Sequence, residues 1–499
     1  MKKIILLAGL LMAPVIVYPL SAWVLGRHIE GVFDGQYKQL ANNAPVKLRQ
    51  YQVRRGVFET VETAEFEWTS PQAHRSLPGC SSGAGTRGDA GDARGGACEG
   101  ASAPIRFATR TVVRHGPYLG KEGFGLAAAH TEFLFGGVER YPLVAMLYGE
   151  AAPLTVDAVF RFGGDGHWVM RSPAVDVAAP DRSRIRWGDI RLEGAFGSEG
   201  QGTTLHGGLP FVSVVSAAGV PVIDAGAIHL DASLSRLFED NPYLYGGPLK
   251  VTLDRLDLPA HGEGGQALAL EQLVVESRVI QAGAFLDVEA GLGVRTLNVA
   301  ERQYGPARID IALRHMEGRA FSRLQHDYVR MAQDHGPMLA GAGSHDPARL
   351  MPLMTSARSV LEGSPEFHLE RLDVRLPQGQ LQARGVVSLP NARADGLDDA
   401  DAFPLVLRDL IASLEVEGKM VVPDRLAVEW VGDEQRALIA RLVEEGYLDR
   451  TGPSFSAAIR HAQGETMVNG KRFDPALQGR PEAPVERGAA TLNMPMPKG

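Results

Sequence analysis

One stretch limits what this chain can become. Ile4 to Gly26 runs IILLAGLLMAPVIVYPLSAWVLG without a charged side chain, directly behind Lys2 and Lys3. As a helix its 23 residues rise about 1.5 Å each, roughly 34 Å in all, enough to cross a hydrocarbon core of about 30 Å. Residues 1–26 are therefore expected to form an uncleaved signal-anchor, a single transmembrane helix. A cleaved signal peptide fits less well. Its apolar region would be about 7–15 residues and would end at small residues, whereas the best cut, after Ala22, leaves Leu20 at the −3 position. A buried soluble helix is seldom this long and charge-free. Pro14 and Pro19 are better tolerated in a membrane helix than in a soluble one. Lys2 and Lys3 hold the N-terminus in the cytoplasm by the positive-inside rule, which sends residues 27–499 to the other side.

Charge and cysteine usage narrow the partners. The 51 basic residues are outnumbered by 59 acidic ones, a net charge of −8, so a non-specific nucleic-acid binder is excluded as a class. No dense basic run follows the apolar stretch. The two cysteines, Cys80 and Cys98, both fall on the exported side. In an oxidising compartment they can close a disulfide that contributes about 3 kcal/mol; the alternative is two thiols in a loop.

Residues 27–44 read as a juxtamembrane amphipathic helix, with Ile29, Val32, Phe33, Tyr37 and Leu40 at helical spacing. The period then changes to two. Ala64, Phe66 and Trp68 alternate with Glu65 and Glu67, and Ile105, Phe107, Thr109, Thr111 and Val113 alternate with arginines. Between them, residues 70–104 are rich in Gly, Ser, Ala and Arg and are expected to be a disordered insertion. Leu154 to Val299 reads as a β meander broken by Gly, Asp, Asn and Ser, with short helices or turns at Leu143–Tyr148 and Leu234–Phe238. Helices are expected over 321–332, 347–361 and 434–445, the second opened by Asp346-Pro347. A hairpin turns at Pro377–Gln380. Strands are expected at Leu410–Val416, Arg425–Trp430, Ser454–Ile459 and Glu465–Val468.

The expected fold class is thus α+β and β-rich: a transmembrane helix, then long, mostly antiparallel curved sheets with a few covering helices. Residues 45–310 form a β-rich region, 311–480 complete the same body, and 481–499 form a loose tail. The sheets either pack face to face as a sandwich, the arrangement favoured here, or curl into an open apolar groove.

Chemistry is sparse. His115-Gly116-Pro117 follows a strand, and without a second His or Cys nearby it reads as a turn in which the His caps backbone groups. Gly262–Ala267 matches a loose dinucleotide pattern but sits among antiparallel strands and reads as a β-turn. Asp395, Asp398, Asp399 and Asp401 lack EF-hand spacing and read as a solvated loop. Arg54, Arg55 and Phe58 form a strand-edge turn that could also meet lipid headgroups. Asn469-Gly470 favours a tight hairpin turn, and Lys471 is assigned nothing beyond solvation. No catalytic residue, metal ligand or cofactor site is assigned.

Four features together resemble the YdgA-like family of bacterial proteins, a domain of unknown function: the N-terminal apolar segment and short helix, Tyr51-Gln-Val-Arg-Arg55-Gly56-Val-Phe58, His115-Gly116-Pro117, and Gly446-Tyr447-Leu448 with Val468-Asn469-Gly470-Lys471. The likeness runs in order along nearly the whole chain, and residues 70–104 depart from it. It implies a single-pass protein of the bacterial inner membrane with its bulk in the periplasm. The plan of one anchor and long sheets is also similar, by architecture alone, to AsmA-like proteins linked to lipid traffic. The leading expectation is a non-enzymatic envelope protein that works through its sheet surface on a partner or as a structural element. The alternatives are a lipid-binding or lipid-transfer protein with an apolar β groove, and a periplasmic enzyme.

Overall fold

The computed structural model describes residues 46–68, 105–135, 142–198, 202–260, 266–300, 302–335, 347–390, 403–431 and 436–473, with Ala22, Ala392, Asp395 and Gly396 besides. The expectations for residues 27–44, 70–104 and 481–499, for Cys80 and Cys98, and for the glycine-rich turn beginning at Gly262 lie outside them. So does the apolar stretch apart from Ala22, which is helical and buried. Among the described residues no helix is long and apolar enough to cross a membrane.

The strands are β1 (Val46–Arg55), β2 (Glu59–Trp68), β3 (Ile105–His115), β4 (Ala127–Phe135), β5 (Leu154–Phe160), β6 (Gly166–Ser172), β7 (Val175–Ala178), β8 (Arg184–Trp187) and β9 (Ile190–Phe196). There follow β10 (Gly202–Leu209), β11 (Val212–Val215), β12 (Pro221–Ala225), β13 (Ile228–Phe238), β14 (Asn241–Leu258), β15 (Leu268–Ala282), β16 (Phe285–Val299), β17 (Arg302–Tyr304) and β18 (Ala307–Glu317). The last are β19 (Glu366–Leu376), β20 (Gly379–Ser388), β21 (Glu415–Pro423), β22 (Asp449–Thr451), β23 (Ser454–Ala462), β24 (Glu465–Val468) and β25 (Lys471–Arg472). The chain forms two compact units, one of residues 1–175, 189–203 and 326–346, the other of residues 176–188, 204–325 and 347–499.

The first unit is an antiparallel meander in the order β1–β2–β3–β4–β5–β6–β9. Period-two alternation gives it one largely apolar face. Ala64, Val113 and Ala127 are fully buried on that face, and Phe66 stacks on Phe107 at 5.3 Å. The same face also carries Thr60, Glu62 and Thr111, all buried. On the other face, Glu67 is clamped between Arg49 at 2.6 Å and Arg106 at 2.9 Å; the Arg49 hydrogen bond, with that of Arg106, holds its carboxyl below the usual carboxylate range.

The second unit is a longer antiparallel meander. From β14 it runs β15–β16–β18–β19–β20–β21–β23–β24, with β13 paired to the other side of β14. The registers place one row of side chains straight across nine strands: Leu230, Val251, Val275, Leu292, Ile309, Leu372, Ala383, Met420 and Ala457. Every member is apolar, and at about 4.8 Å per strand the row is roughly 38 Å long. Only Ala457 in it is buried; Val275 is 41% and Leu292 46% exposed, and nearby on the same face Phe367 is 42% exposed. A sandwich would bury such a row, so among the described residues the expected face-to-face packing is not seen over this stretch.

The opposite face carries charge in the same registers. Lys250, Glu276, Gly291, Asp310 and Arg371 lie in one row. Lys250 reaches Glu276 at 3.1 Å, Arg308 reaches Glu276 at 3.0 Å and Asp310 at 2.6 Å, and Arg371 reaches Asp310 at 3.7 Å. A Cβ at Gly291 would lie 2.8 Å from the Arg308 guanidinium, so the missing side chain is the space in which Arg308 crosses the sheet.

Helices close one end of the apolar face. Phe321, on the helix Gly318–His335, packs with Leu286 and Met316, both fully buried. The buried Asn241 amide donates to the Ser322 carbonyl at 3.1 Å and to Gln325 at 2.7 Å, tying β14 to that helix. The helix Pro347–Glu362 packs Met354, Ala357 and Leu361 against Val406 and Leu410 of the helix Phe403–Ala412.

The expected helices at 321–332, 347–361 and 434–445 are present as Gly318–His335, Pro347–Glu362 and Arg436–Glu444. Three local readings are corrected. Leu234–Phe238 is not a helix or turn but the end of β13, because Ser235 and Arg236 pair with Gly246 and Tyr245. The strand read at Leu410–Val416 is the end of a helix followed by β21: Val406 and Leu410, four apart, are buried in one cluster. Arg425–Trp430 is helical within Asp424–Val431, where Pro423 ends the strand, Asp424 sits in the first turn and Leu426 is buried.

The charged row sets an acid response. Hydrogen bonds from Lys250 and then Arg308 hold the Glu276 carboxyl below the usual range. Its stabilisation is complete above about pH 4.3, the unfolded value, and is lost as pH falls through the depressed folded one. Thermal melts should therefore show wild type more stable than Glu276→Gln at pH 6, with the gap closing towards pH 3. A gap that stays constant with pH would contradict this.

Candidate functional site

Two of the recognised motifs meet at one end of the first unit. His115 ends β3 and is 2% exposed. Its backbone N–H donates to the Phe58 carbonyl at 2.8 Å. Its Nδ1 lies 3.1 Å from the Val57 carbonyl and its Nε2 2.9 Å from Thr60 Oγ1. A carbonyl can only accept, so Nδ1 carries the proton, and in the neutral ring Nε2 accepts from the Thr60 hydroxyl. Both ring nitrogens are thereby engaged by the Arg55-Gly56-Val57-Phe58 turn and the strand after it.

Gly116 and Pro117, joined by a cis peptide, turn the chain beside this contact. A Cβ on Gly116 would sit 1.8 Å from the Gly125 carbonyl oxygen, a backbone atom with no room to yield. Gly56 donates to the Glu59 carbonyl at 2.7 Å and closes the first turn. Tyr51 lies further back on β1, opposite Ala64. The sequence motifs thus mark two interlocked turns.

The C-terminal motif is a second interlock. Asn469 and Gly470 take the left-handed backbone of a tight turn, at φ 49° and 78°. Asn469 Oδ1 accepts from the Ala458 N–H at 2.7 Å, and its Nδ2 donates to the Tyr447 carbonyl at 3.2 Å. Lys471 Nζ donates to the Glu445 carbonyl at 2.7 Å, just past the end of the helix Arg436–Glu444. Lys471 is therefore more than a solvated side chain: it satisfies a carbonyl at the negative end of a helix. Gly446, at φ 76°, ends that helix, and its Cβ position is already occupied by Lys471 Nζ at 2.5 Å.

The polar face of the first unit brings together residues that the sequence did not single out. His130 Nδ1 lies 2.7 Å from Asp157, and Arg171 lies 2.5 Å from the other oxygen of that carboxylate. Partial burial works against the charged form of Asp157, but the His130 and Arg171 hydrogen bonds prevail and hold its pKa below the ordinary value. These groups line an open hollow with Arg114, Lys121, Glu122 and His167. Among the described residues no group of three or more His, Cys, Asp and Glu side chains is placed to hold a metal ion. Asp395 is paired with Arg358; the other three aspartates of that loop are outside the described residues. The signal that could have found His130 is the register: on β4 it faces Asp157 on β5, a pairing set by strand alignment rather than by spacing along the chain.

The pieces define a class: a β-rich protein of long antiparallel meanders with few helices, in which the sequence motifs serve as turn interlocks. The particular family is a bacterial one of unknown function, DUF945; the chain belongs to it, matching over residues 1–476. No curated protein matches the chain at a significant level.

If the motifs are interlocks, their loss should act on stability. His115→Ala leaves the Thr60 hydroxyl and the Val57 carbonyl without their partner and should lower the unfolding free energy by about 1–3 kcal/mol. Gly116→Ala should cost more, about 4 kcal/mol or above, because backbone must move. Denaturant unfolding followed by circular dichroism measures both, and a fully stable Gly116→Ala would contradict the geometry.

Proposed function

We propose that this protein is a non-enzymatic component of the bacterial envelope, tethered by Ile4–Gly26, whose second unit holds lipid acyl chains against its apolar sheet face. One observation carries the reading: the row from Leu230 to Ala457 crosses nine strands without a polar side chain, Val275 and Leu292 at its middle are exposed, and only Ala457 is buried. Soluble proteins seldom leave a large contiguous apolar patch exposed without a use for it. Covering the exposed halves of Val275, Leu292 and Phe367 would contribute about 1 kcal/mol each. An acyl chain is long, flexible and apolar, and it asks for such a strip rather than for a deep pocket with placed polar groups. The reading requires no cofactor or metal and no nucleic acid. A tether would keep the face close to the lipid it takes up.

A diazirine-bearing fatty acid, photolysed on the purified full-length protein, should label peptides of β15, β16 and β19. Val275→Lys with Leu292→Glu, an opposite-charge pair across the two strands, should cut that labelling several-fold while changing stability by only about 1 kcal/mol, since both side chains are partly in water already. Labelling confined to residues 4–26, or unchanged in the double variant, would refute the lipid reading. A scaffold that binds a protein partner through its sheet surface would then take its place.

A further inference from the structure

A different surface, on the first unit, points to a second contact. The β1–β2, β3–β4 and β5–β6 turns all lie at the same end of the meander. Backbone hydrogen bonds join them, from His115 N–H to the Phe58 carbonyl and from Leu126 N–H to the Phe160 carbonyl, each 2.8 Å. Large apolar side chains stand out from these turns: Val57 is 45% exposed, Phe58 48%, Tyr118 54%, Phe124 73% and Phe162 56%. Tyr118 and Phe124 pair across their loop with ring centroids 5.5 Å apart, above the buried Leu119. The close approach of Gly116 to Gly125 and the satisfied His115 ring fix the loop beneath them. The projection is thus preorganised.

The charge at this end is opposite in sign to that of the whole chain. Among the described residues, the turns and strand ends here carry Arg54, Arg55, Arg114, Lys121 and Arg161 against Glu59, Glu122 and Asp165, five cations to three carboxylates, in a protein of net charge −8. Two of the carboxylates are within reach of neighbouring cations, Asp165 at 3.5 Å from Arg161 and Glu122 at 3.8 Å from Lys121. Aromatic rings with cations among them suit the boundary between lipid chains and anionic headgroups: rings settle at headgroup depth, and each Lys or Arg near the surface gains from the negative potential.

We propose that this turn-lined end of the first unit is a docking surface for an anionic lipid bilayer, with Phe58, Tyr118, Phe124 and Phe162 entering the headgroup region and Arg54, Arg114 and Lys121 meeting the phosphates. The contact is independent of the acyl-chain face on the second unit, and either can fail without the other.

The test uses the full-length protein, with its N-terminal apolar segment shielded by a non-ionic amphipol, and the variant Phe124→Trp. Phe124 is mostly in water, so the exchange leaves folding intact. The increment in tryptophan emission over wild type should be quenched by vesicles of brominated phosphatidylglycerol mixed with phosphatidylcholine, and left unquenched by brominated phosphatidylcholine alone. Arg54→Gln with Lys121→Gln should weaken vesicle binding on the order of twentyfold, about fivefold per cation removed. Equal quenching by both vesicle types, or no quenching at position 124 in vesicles that bind the protein, would overturn the proposal. So would a failure to bind anionic vesicles at all, which would assign the exposed rings to a protein partner.

Discussion

The antiparallel ladder between long neighbouring strands is the constraint on which the rest of the second unit depends. Once β14, β15 and β16 are aligned, alternation along each strand becomes rows across the sheet, because successive side chains point to opposite faces. Val275 then meets Val251 and Leu292, while Glu276 meets Lys250 and Gly291. A one-residue slip would exchange the faces and set Glu276 among leucines. The alternation and the ion pairs select the same register. The pairs are partly exposed and each adds little by itself; their weight lies in making every competing alignment worse.

The first unit follows the same rule with a different outcome. Its mainly apolar face is buried at Ala64, Val113 and Ala127, and it also admits Thr60, Glu62, Thr111 and His115. Polar groups at such depth need partners. His115 finds them in the first turn, and Thr111 meets Thr131 at 3.0 Å. The motif residues gather where strands reverse and backbones approach too closely for a side chain. At these positions the motif residues hold the geometry of turns. The two outward surfaces, an uncovered apolar strip on one unit and an aromatic, cationic end on the other, both have chemistry suited to lipid.

Much of this was legible from the residues. Period-two alternation gave many strands of both units, though not β4 or β18, together with the Pro377–Gln380 hairpin and the Asn469-Gly470 turn, and helical spacing gave three of the helices. The misreadings share a cause. Leu234–Phe238 is short and ambiguous until Gly246 and Tyr245 pair with it. Phe403–Ala412 and Asp424–Val431 are too short for local periodicity to outweigh neighbouring strand patterns, and burial of Val406, Leu410 and Leu426 decides them. Lys471 was passed over because its partner is the Glu445 carbonyl, just past the end of the helix Arg436–Glu444 and 26 residues away in the chain.

By itself the sequence determined the class of the chain: an apolar leading segment, a β-rich body and two motif-bearing turn regions. These follow from composition and from periods of two and 3.6, which are properties of one strand or helix at a time. Only the tertiary structure decided which side chains share a row, that Val275 and Leu292 stay exposed in the middle of theirs, that His130 faces Asp157, and that Phe58, Phe124 and Phe162 gather at one end. Each of these depends on the alignment of segments far apart in the chain. Cross-strand hydrogen bonds and burial fix that alignment, and no local pattern encodes it.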